Sequence, residues 1–171
     1  MQHVTRRTVT FALLALLAAC SQTDPKFKTY NGPPVTEIVV NKGERRMYLM
    51  SGQTVLKAYE VGLGNEPVGT KHFDADGKTP EGVYFIDRAN PNSEFHLSLG
   101  VSYPNANDIA YAQAQGRHPG GDIFIHGWGD EGHRLAPTKR DWTAGCIAVR
   151  DEEIEEVYAM VKGGVPIVIN S

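Results

Sequence analysis

The sequence predicts a mostly-β domain, sheet on sheet or barrel-like, with one or two attached helices. Three observations carry this. Short runs rich in β-branched and aromatic residues recur from residue 35 to the end, separated by Gly, Pro and Asn clusters. Only Asp151 to Lys162 shows a clear helical repeat. No internal repeat, coiled coil or second domain interrupts the series.

In chain order, Val35 to Asn41 (V-T-E-I-V-V-N) reads as the first strand. Arg46 to Met50 and Thr54 to Val61 follow as a hairpin turning at Ser51-Gly52. Gly62 to Thr79 is irregular and ends in the turn-rich run Asp76 to Gly82. Val83 to Asp87 and His96 to Ser102 alternate as strands do, with Asn90-Pro91-Asn92 between them. Pro104 stops strand pairing, and Asn107 or Asp108 is placed to cap a short Ala-rich helix within Tyr103 to Gln115, a candidate lid or cleft wall. Ile123-Phe124-Ile125 and Ile147-Ala148-Val149 are apolar and read as buried strands. In the helix after them, Ile154, Val157, Tyr158 and Val161 form one apolar stripe. Glu152 and Glu153 lie in its first turn and Lys162 in its last, as the helix dipole favours, and Gly163-Gly164 stop it. Pro166 to Ile169 supplies the last strand.

The chain has 171 residues and a net charge of −3. Its first 19 residues read as a lipoprotein signal peptide: Arg6-Arg7, then an apolar run too short to span a bilayer, then Leu17-Ala18-Ala19-Cys20. Cleavage before Cys20 places lipid on its sulfur, and residues 20–33 become a polar, Pro-containing tether to a domain at 34–171. Loss of two arginines and no acid moves the net charge to −5. Such a chain has no basic stripe and excludes an electrostatic case for nucleic acid. The expected location is the periplasmic side of the cell envelope. Ser21 after the lipidated Cys is compatible with the outer membrane. With Cys20 lipidated, Cys146 has no partner in the chain, and an unpaired thiol outside the cytoplasm is unusual unless it reacts.

Reactive side chains concentrate between Ile123 and Arg150. His126 stands at a strand end beside Gly127 and Gly129, and Thr143-Ala144-Gly145 lead into Cys146 with little bulk. Three chemistries suit this stretch. In the first, Cys146 is a nucleophile and His126 takes its proton and stabilises a thiolate. In the second, His118, His126, His133 and Cys146 hold zinc, although no close pair such as Cys-x-x-Cys is present. In the third, His118 and His133 are surface residues and Cys146 is an inert small hydrophobe. Trp128, Trp142 and Tyr103 are placed to line a cleft or to pack. Asp130, Glu131 and Asp141 are placed to orient a histidine or to be solvated.

Ile125-His126-Gly127 followed by Thr143-Ala144-Gly145-Cys146-Ile147 resembles the signature of the L,D-transpeptidase (YkuD-like) catalytic domains. That signature is a histidine, a gap of more than a dozen residues, then Ser/Thr-x-Gly-Cys. Gly77 to Tyr84 and Ser98 to Asn105 are similar to the branch of short exported members. The resemblance implies an L,D-transpeptidase-like β-sandwich or barrel and cell-wall chemistry without metal or cofactor. Cys146 is then the nucleophile and His126 the general base. The backbone N–H of Cys146, with Gly145 or Ala144, forms the oxyanion hole. The implied partners are peptidoglycan stem peptides, with an envelope lipoprotein as a further acceptor or substrate. Arg150, Tyr103, Trp142, Thr143 and Gly127 are the candidates for contact with the stem peptide. Three departures stand out: Ala144 replaces a frequent His, Ala148 replaces a frequent Arg, and Gly127 offers no side chain to orient His126. An amine acceptor makes a crosslinking enzyme and water makes a carboxypeptidase or hydrolase. A catalytically dead peptidoglycan-binding lipoprotein is the non-enzymatic alternative.

Overall fold

Eight strands form one sheet that curls into a half-barrel, in a computed structural model that describes residues 25–171. The expected signal peptide, the lipidated Cys20 and the start of the tether lie outside the described residues. The strands are β1 (Glu37–Asn41), β2 (Arg46–Ser51), β3 (Thr54–Glu60), β4 (Gly82–Asn90) and β5 (Ser98–Val101). They continue with β6 (Phe124–His126), β7 (Ile147–Ala148) and β8 (Pro166–Asn170). Their order across the sheet is β3-β2-β1-β8-β4-β5-β6-β7. The β1–β8 and β6–β7 pairs are parallel and the others antiparallel.

Alternation explains which face is inside. Ile38 and Val40 of β1, Met47 and Leu49 of β2, and Ile167 and Ile169 of β8 all point into the core. The curl comes from β4. Its first half, Gly82–Phe85, pairs with β8, and its second half pairs with β5 after a register shift between Ile86 and Arg88. A bulge bends the strand that carries it, so one β4 serves both walls. This bend turns β5, β6 and β7, and with them the reactive stretch, around the core.

Three helices attach, one more than the upper expectation: α1 (Ala106–Ala114), α2 (Gly129–Leu135) and α3 (Asp151–Met160). Helix α2 was illegible because G-D-E-G-H-R-L has no apolar stripe. Tertiary packing holds it: a side chain at Gly132 would begin 2.6 Å from Trp128 Cβ and 2.8 Å from Trp142 Cζ2. Helix α1 is capped by Asn105, not by Asn107 or Asp108. The Asn105 side chain accepts from both of those backbone N–H groups, while Asp108 accepts from Asn105 N, a reciprocal capping box. This helix packs its Tyr111 on His72 and its Asp108 on Tyr84, so it does not wall the Cys146 cleft. Helix α3 lies against β5 and β6 through Ile154 and Val157 and ends two residues earlier than expected. Val161 is extended and buried, which puts Lys162 outside the last turn.

The described part of the tether is docked on α3. Lys28 Nζ donates to the Glu152 carbonyl at 2.9 Å and pairs with Glu155 at 3.1 Å, and the Phe27 ring lies 6.2 Å from that of Tyr158.

Candidate active site

Cys146 and His126 face one cleft of about 370 Å³. Parallel pairing of β6 with β7 sets Ile125 opposite Ile147 and His126 opposite Ala148, which brings Cys146 alongside the start of β6. Phe124 and His126, two apart on β6, share the face toward the cleft, as period-two geometry requires. Ser98 pairs opposite His126 and adds to the same wall. The far wall is the loop from Asn90 to Phe95, which sequence reading had treated only as a turn.

His126 is buried and stacked by aromatic rings: Phe95 at 4.4 Å between centroids and Trp142 edge-on at 5.7 Å. Its Nδ1 donates to the Gly127 carbonyl at 2.6 Å. A carbonyl can only accept, so Nδ1 carries the proton and Nε2 is left as the basic nitrogen. Nε2 has no hydrogen-bond partner among the described residues. Burial pushes the imidazole pKa down to about 4, against the opposing Gly127 hydrogen bond and the Asp151 charge. The group that orients the His126 ring is thus the backbone of the glycine that follows it.

The Gly127 N–H donates to the Leu97 carbonyl at 3.2 Å, and Asp151, at the start of α3, ties down the same turn two residues further on. It accepts the Gly129 N–H at 2.9 Å and pairs with His133 Nε2 at 2.9 Å. Gly127 itself is confined: a side chain there would begin 2.6 Å from Asp151 Oδ1 and 2.8 Å from the Phe95 carbonyl. Sequence reading looked to Asp130, Glu131 and Asp141 for an orienting acid. Asp130 and Glu131 are exposed in α2, and Asp141 is bound to Arg45 and to Leu63 N. In the sequence Asp151 marks only a helix start, and its place at the site follows from its contacts with Gly129 and His133 in the fold.

Cys146 donates its thiol to the Asp122 carbonyl at 3.5 Å, and no hydrogen bond joins it to His126. Burial, chiefly, pushes the thiol pKa up to about 11. The resting pair is therefore neutral thiol and neutral imidazole, not the thiolate expected from sequence. The physical reason is shared: a closely surrounded sulfur and a buried ring each disfavour charge. Asp122 has a positive φ of 53°, which aims its carbonyl at the sulfur and leaves its carboxylate exposed at the cleft mouth.

The turn before Cys146 is built by Thr143. Its Oγ1 donates to the Cys146 carbonyl at 2.8 Å and accepts the Gly145 N–H at 3.1 Å. This occupies Gly145, one of the expected oxyanion donors. The N–H groups of Cys146 and Ala144 have no acceptor among the described residues. Gly145 has φ +142°, and a side chain there would begin 2.7 Å from the Lys78 carbonyl, so only Gly fits.

Of the residues expected to meet a stem peptide, Gly127, Thr143 and Trp142 pack around Cys146 and His126, but none of them lines the cleft. Tyr103 is buried, with its hydroxyl donating to the Pro119 carbonyl, which makes it core. Arg150 is turned away. It is tied to Glu153 at 2.7 Å and Glu152 at 3.2 Å and lines a different cavity. His118 accepts from Gly120 N at the surface. Among the described residues no three His, Cys, Asp or Glu side chains come together as a metal site.

With this geometry in view, family comparison is decisive. The L,D-transpeptidase catalytic domain model (YkuD) matches residues 35–169, and the chain belongs to that family. It is 30% identical over 166 residues to YafK of Escherichia coli K12, a protein provisionally named an L,D-transpeptidase. That match spans 91% of this chain but 59% of YafK, so the chain covers less than two thirds of that relative's length. Among solved structures, it is similar to the helical cell shape determining protein Pgp2 of Campylobacter jejuni, with TM-score 0.61 and 27% identity over 82% of this chain and 49% of that one. It also matches Bd1075 of Bdellovibrio bacteriovorus, with TM-score 0.54 and 25% identity over 80% of this chain and 48% of that one. Mycobacterium tuberculosis L,D-transpeptidase 1 shares the fold at TM-score 0.51 and 13% identity over 80% of this chain and 62% of that one.

Proposed function

We propose that this domain is a peptidoglycan-active cysteine acyltransferase that cleaves stem peptides through a thioester on Cys146. The observation that carries it is the shared cleft of Cys146 and His126, with His126 held in the tautomer that leaves Nε2 basic. In this reading the thiol leaves the Asp122 carbonyl and turns to His126 when substrate enters, since hydrogen bonds of a resting site often tighten only then. Sγ attacks the carbonyl carbon of the third stem residue as its proton passes to Nε2. The carbonyl oxygen becomes an oxyanion, for which the free N–H groups of Cys146 and Ala144 are the candidate donors. Its collapse breaks the bond to the terminal D-alanine, whose amine takes the proton back from His126. An amine or water then releases the acyl group from sulfur.

A hydrolytic outcome is the second reading. Ala144 is exposed where many family members carry His, so no bulky side chain there screens the thioester from water. Attachment through lipid on Cys20, at the periplasmic face of the outer membrane, is part of the same proposal. An envelope lipoprotein is the further acceptor or substrate it brings within reach.

The test incubates the domain from residue 21 with tetrapeptide muropeptides, followed by mass spectrometry. Crosslinked dimer with loss of D-alanine establishes a transpeptidase, and tripeptide alone a carboxypeptidase. Cys146→Ala is expected to abolish either. Unchanged D-alanine release in that variant would overturn the reading, and binding without any turnover would favour a non-catalytic wall-binding module.

A further inference from the structure

A second cavity, of about 540 Å³, does not contain Cys146. It lies between β2–β3 and the segment around α2, and three arginines reach it: Arg46, Arg140 and Arg150. Arg150 is neutralised by Glu153 and Glu152. Arg46 and Arg140 have no ion-pair partner among the described residues. Glu60, opposite Arg46 in the β2–β3 register, also borders the cavity. Counting Arg150 against Glu153 and one arginine against Glu60 leaves one guanidinium unmatched. Half-buried Trp128 supplies an aromatic wall.

Two further observations connect this cavity to the catalytic cleft. Ala148 forms part of its lining, and Ala148 stands two residues after Cys146 in extended chain, so both side chains take the same face. That separation is about 7 Å along the strand. The lining of the Cys146 cleft, by contrast, includes Glu94 and Asp122, and the guanidinium at its edge, Arg88, is already paired with Asp87 and Asp122. An anionic peptide reaching Cys146 thus meets no unpaired Lys or Arg among the residues lining that cleft. The indole Nε1 of Trp142 is also a buried donor without a partner among the described residues. Its neighbouring Cδ1 is 3.6 Å from where a Gly62 side chain would begin, and Gly62 lines the arginine cavity.

We infer that the arginine cavity is an anion subsite that binds a carboxylate of the peptide whose neighbouring segment occupies the Cys146 cleft. This rests on the stem-peptide reading above. A single unmatched positive charge beside Glu60 suits a carboxylate monoanion better than a phosphate dianion. Guanidinium groups bind carboxylates in paired hydrogen bonds, and Trp128 adds apolar contact for the flanking chain. The pocket thereby positions the peptide, while Cys146 and His126 act on it.

The experiment follows the indole N–H resonances of Trp128 and Trp142 by NMR while Cys146→Ala protein is titrated with the tetrapeptide stem. Trp128 is expected to shift on binding, and R46Q/R140Q to weaken the affinity about tenfold or more. Binding that moves cleft resonances but leaves Trp128 unmoved, or equal affinity in R46Q/R140Q, overturns the subsite. If the peptide binds nowhere, the stem-peptide reading fails, and N-acetyl-D-alanine, a monocarboxylate, then tests the pocket by itself. A Trp128 shift lost in R46Q/R140Q upholds a carboxylate site, and no shift overturns it. Inorganic phosphate binding more tightly than N-acetyl-D-alanine also overturns the carboxylate assignment.

Discussion

His126 and Gly127 are adjacent in sequence, and the ring of the first donates to the carbonyl of the second at 2.6 Å. The hydrogen bond sets the tautomer that frees Nε2, a task that many histidine bases give to a carboxylate side chain. Its accuracy depends on how this turn is held: the Gly127 N–H donates to the Leu97 carbonyl at 3.2 Å, and Asp151 accepts the Gly129 N–H two residues further on.

Asp151 is accordingly a positioning residue. Asp151→Ala is expected to lower kcat by roughly 10- to 100-fold with little change in KM, the scale of a misplaced reacting group. Asp151→Asn keeps an acceptor for Gly129 N–H and should restore most of the rate. The imidazole nitrogen shifts of His126 by NMR distinguish a lost tautomer from a merely loosened helix.

Gly127→Ala meets three atoms closer than 3.0 Å: Asp151 Oδ1, the Phe95 carbonyl and Ile154 Cγ2. Two of these belong to carbonyl or carboxylate groups locked by the fold. A loss of about 1–3 kcal/mol is expected from thermal or urea unfolding, typical of overpacking. D-alanine release should fall further than stability alone accounts for.

Stability should depend on pH at both ends. The folded pKa of His126 is lowered from 6.5 to about 4, so the unfolded chain binds the proton more readily between those values. Stability present above about pH 6.5 is lost as pH falls towards 4, by roughly 3 kcal/mol in all. Cys146 runs the other way: its pKa is raised from 9.0 to about 11, so its contribution is lost as pH rises through that window. Urea midpoints across pH measure both. His126→Gln should flatten the acid limb and Cys146→Ala the alkaline limb.

Phe95 covers the His126 ring at 4.4 Å. Phe95→Ala admits water to the imidazole and is expected to raise its pKa towards 6.5, read by NMR titration. Alkylation of Cys146 in the unmodified domain should be slow at neutral pH and accelerate towards pH 11, because the resting thiol is protonated. Rapid alkylation at pH 7 would contradict the neutral pair.

Ile154 is fully buried where α3 meets β5 and β6. Ile154→Ala should cost about 2–5 kcal/mol, or roughly 5–15 °C in Tm for a domain of this size. This measures how firmly α3, and hence Asp151, is seated.

Local chemistry decided much of this protein before it folded. Alternating β-branched residues such as Ile38-Val39-Val40 declare strands, and Ile154 and Val157 declare α3, because period and side-chain shape act over a few residues. Cys146 behind Thr-Ala-Gly, and His126 at a strand end, likewise marked the candidate pair. What lay beyond local reach was everything set by partners distant in sequence. Helix α2 exists through its packing under Trp128 and Trp142. The cleft wall comes from residues 90–95, more than fifty positions before Cys146. The protonation of Cys146 and His126 follows from burial, which no short window encodes. Arg150, four residues from Cys146, faces another cavity because the capping of α3 by Glu153 turns it there. Spacing chose the reactive groups, and tertiary packing determined their tautomer, their charge and their neighbours.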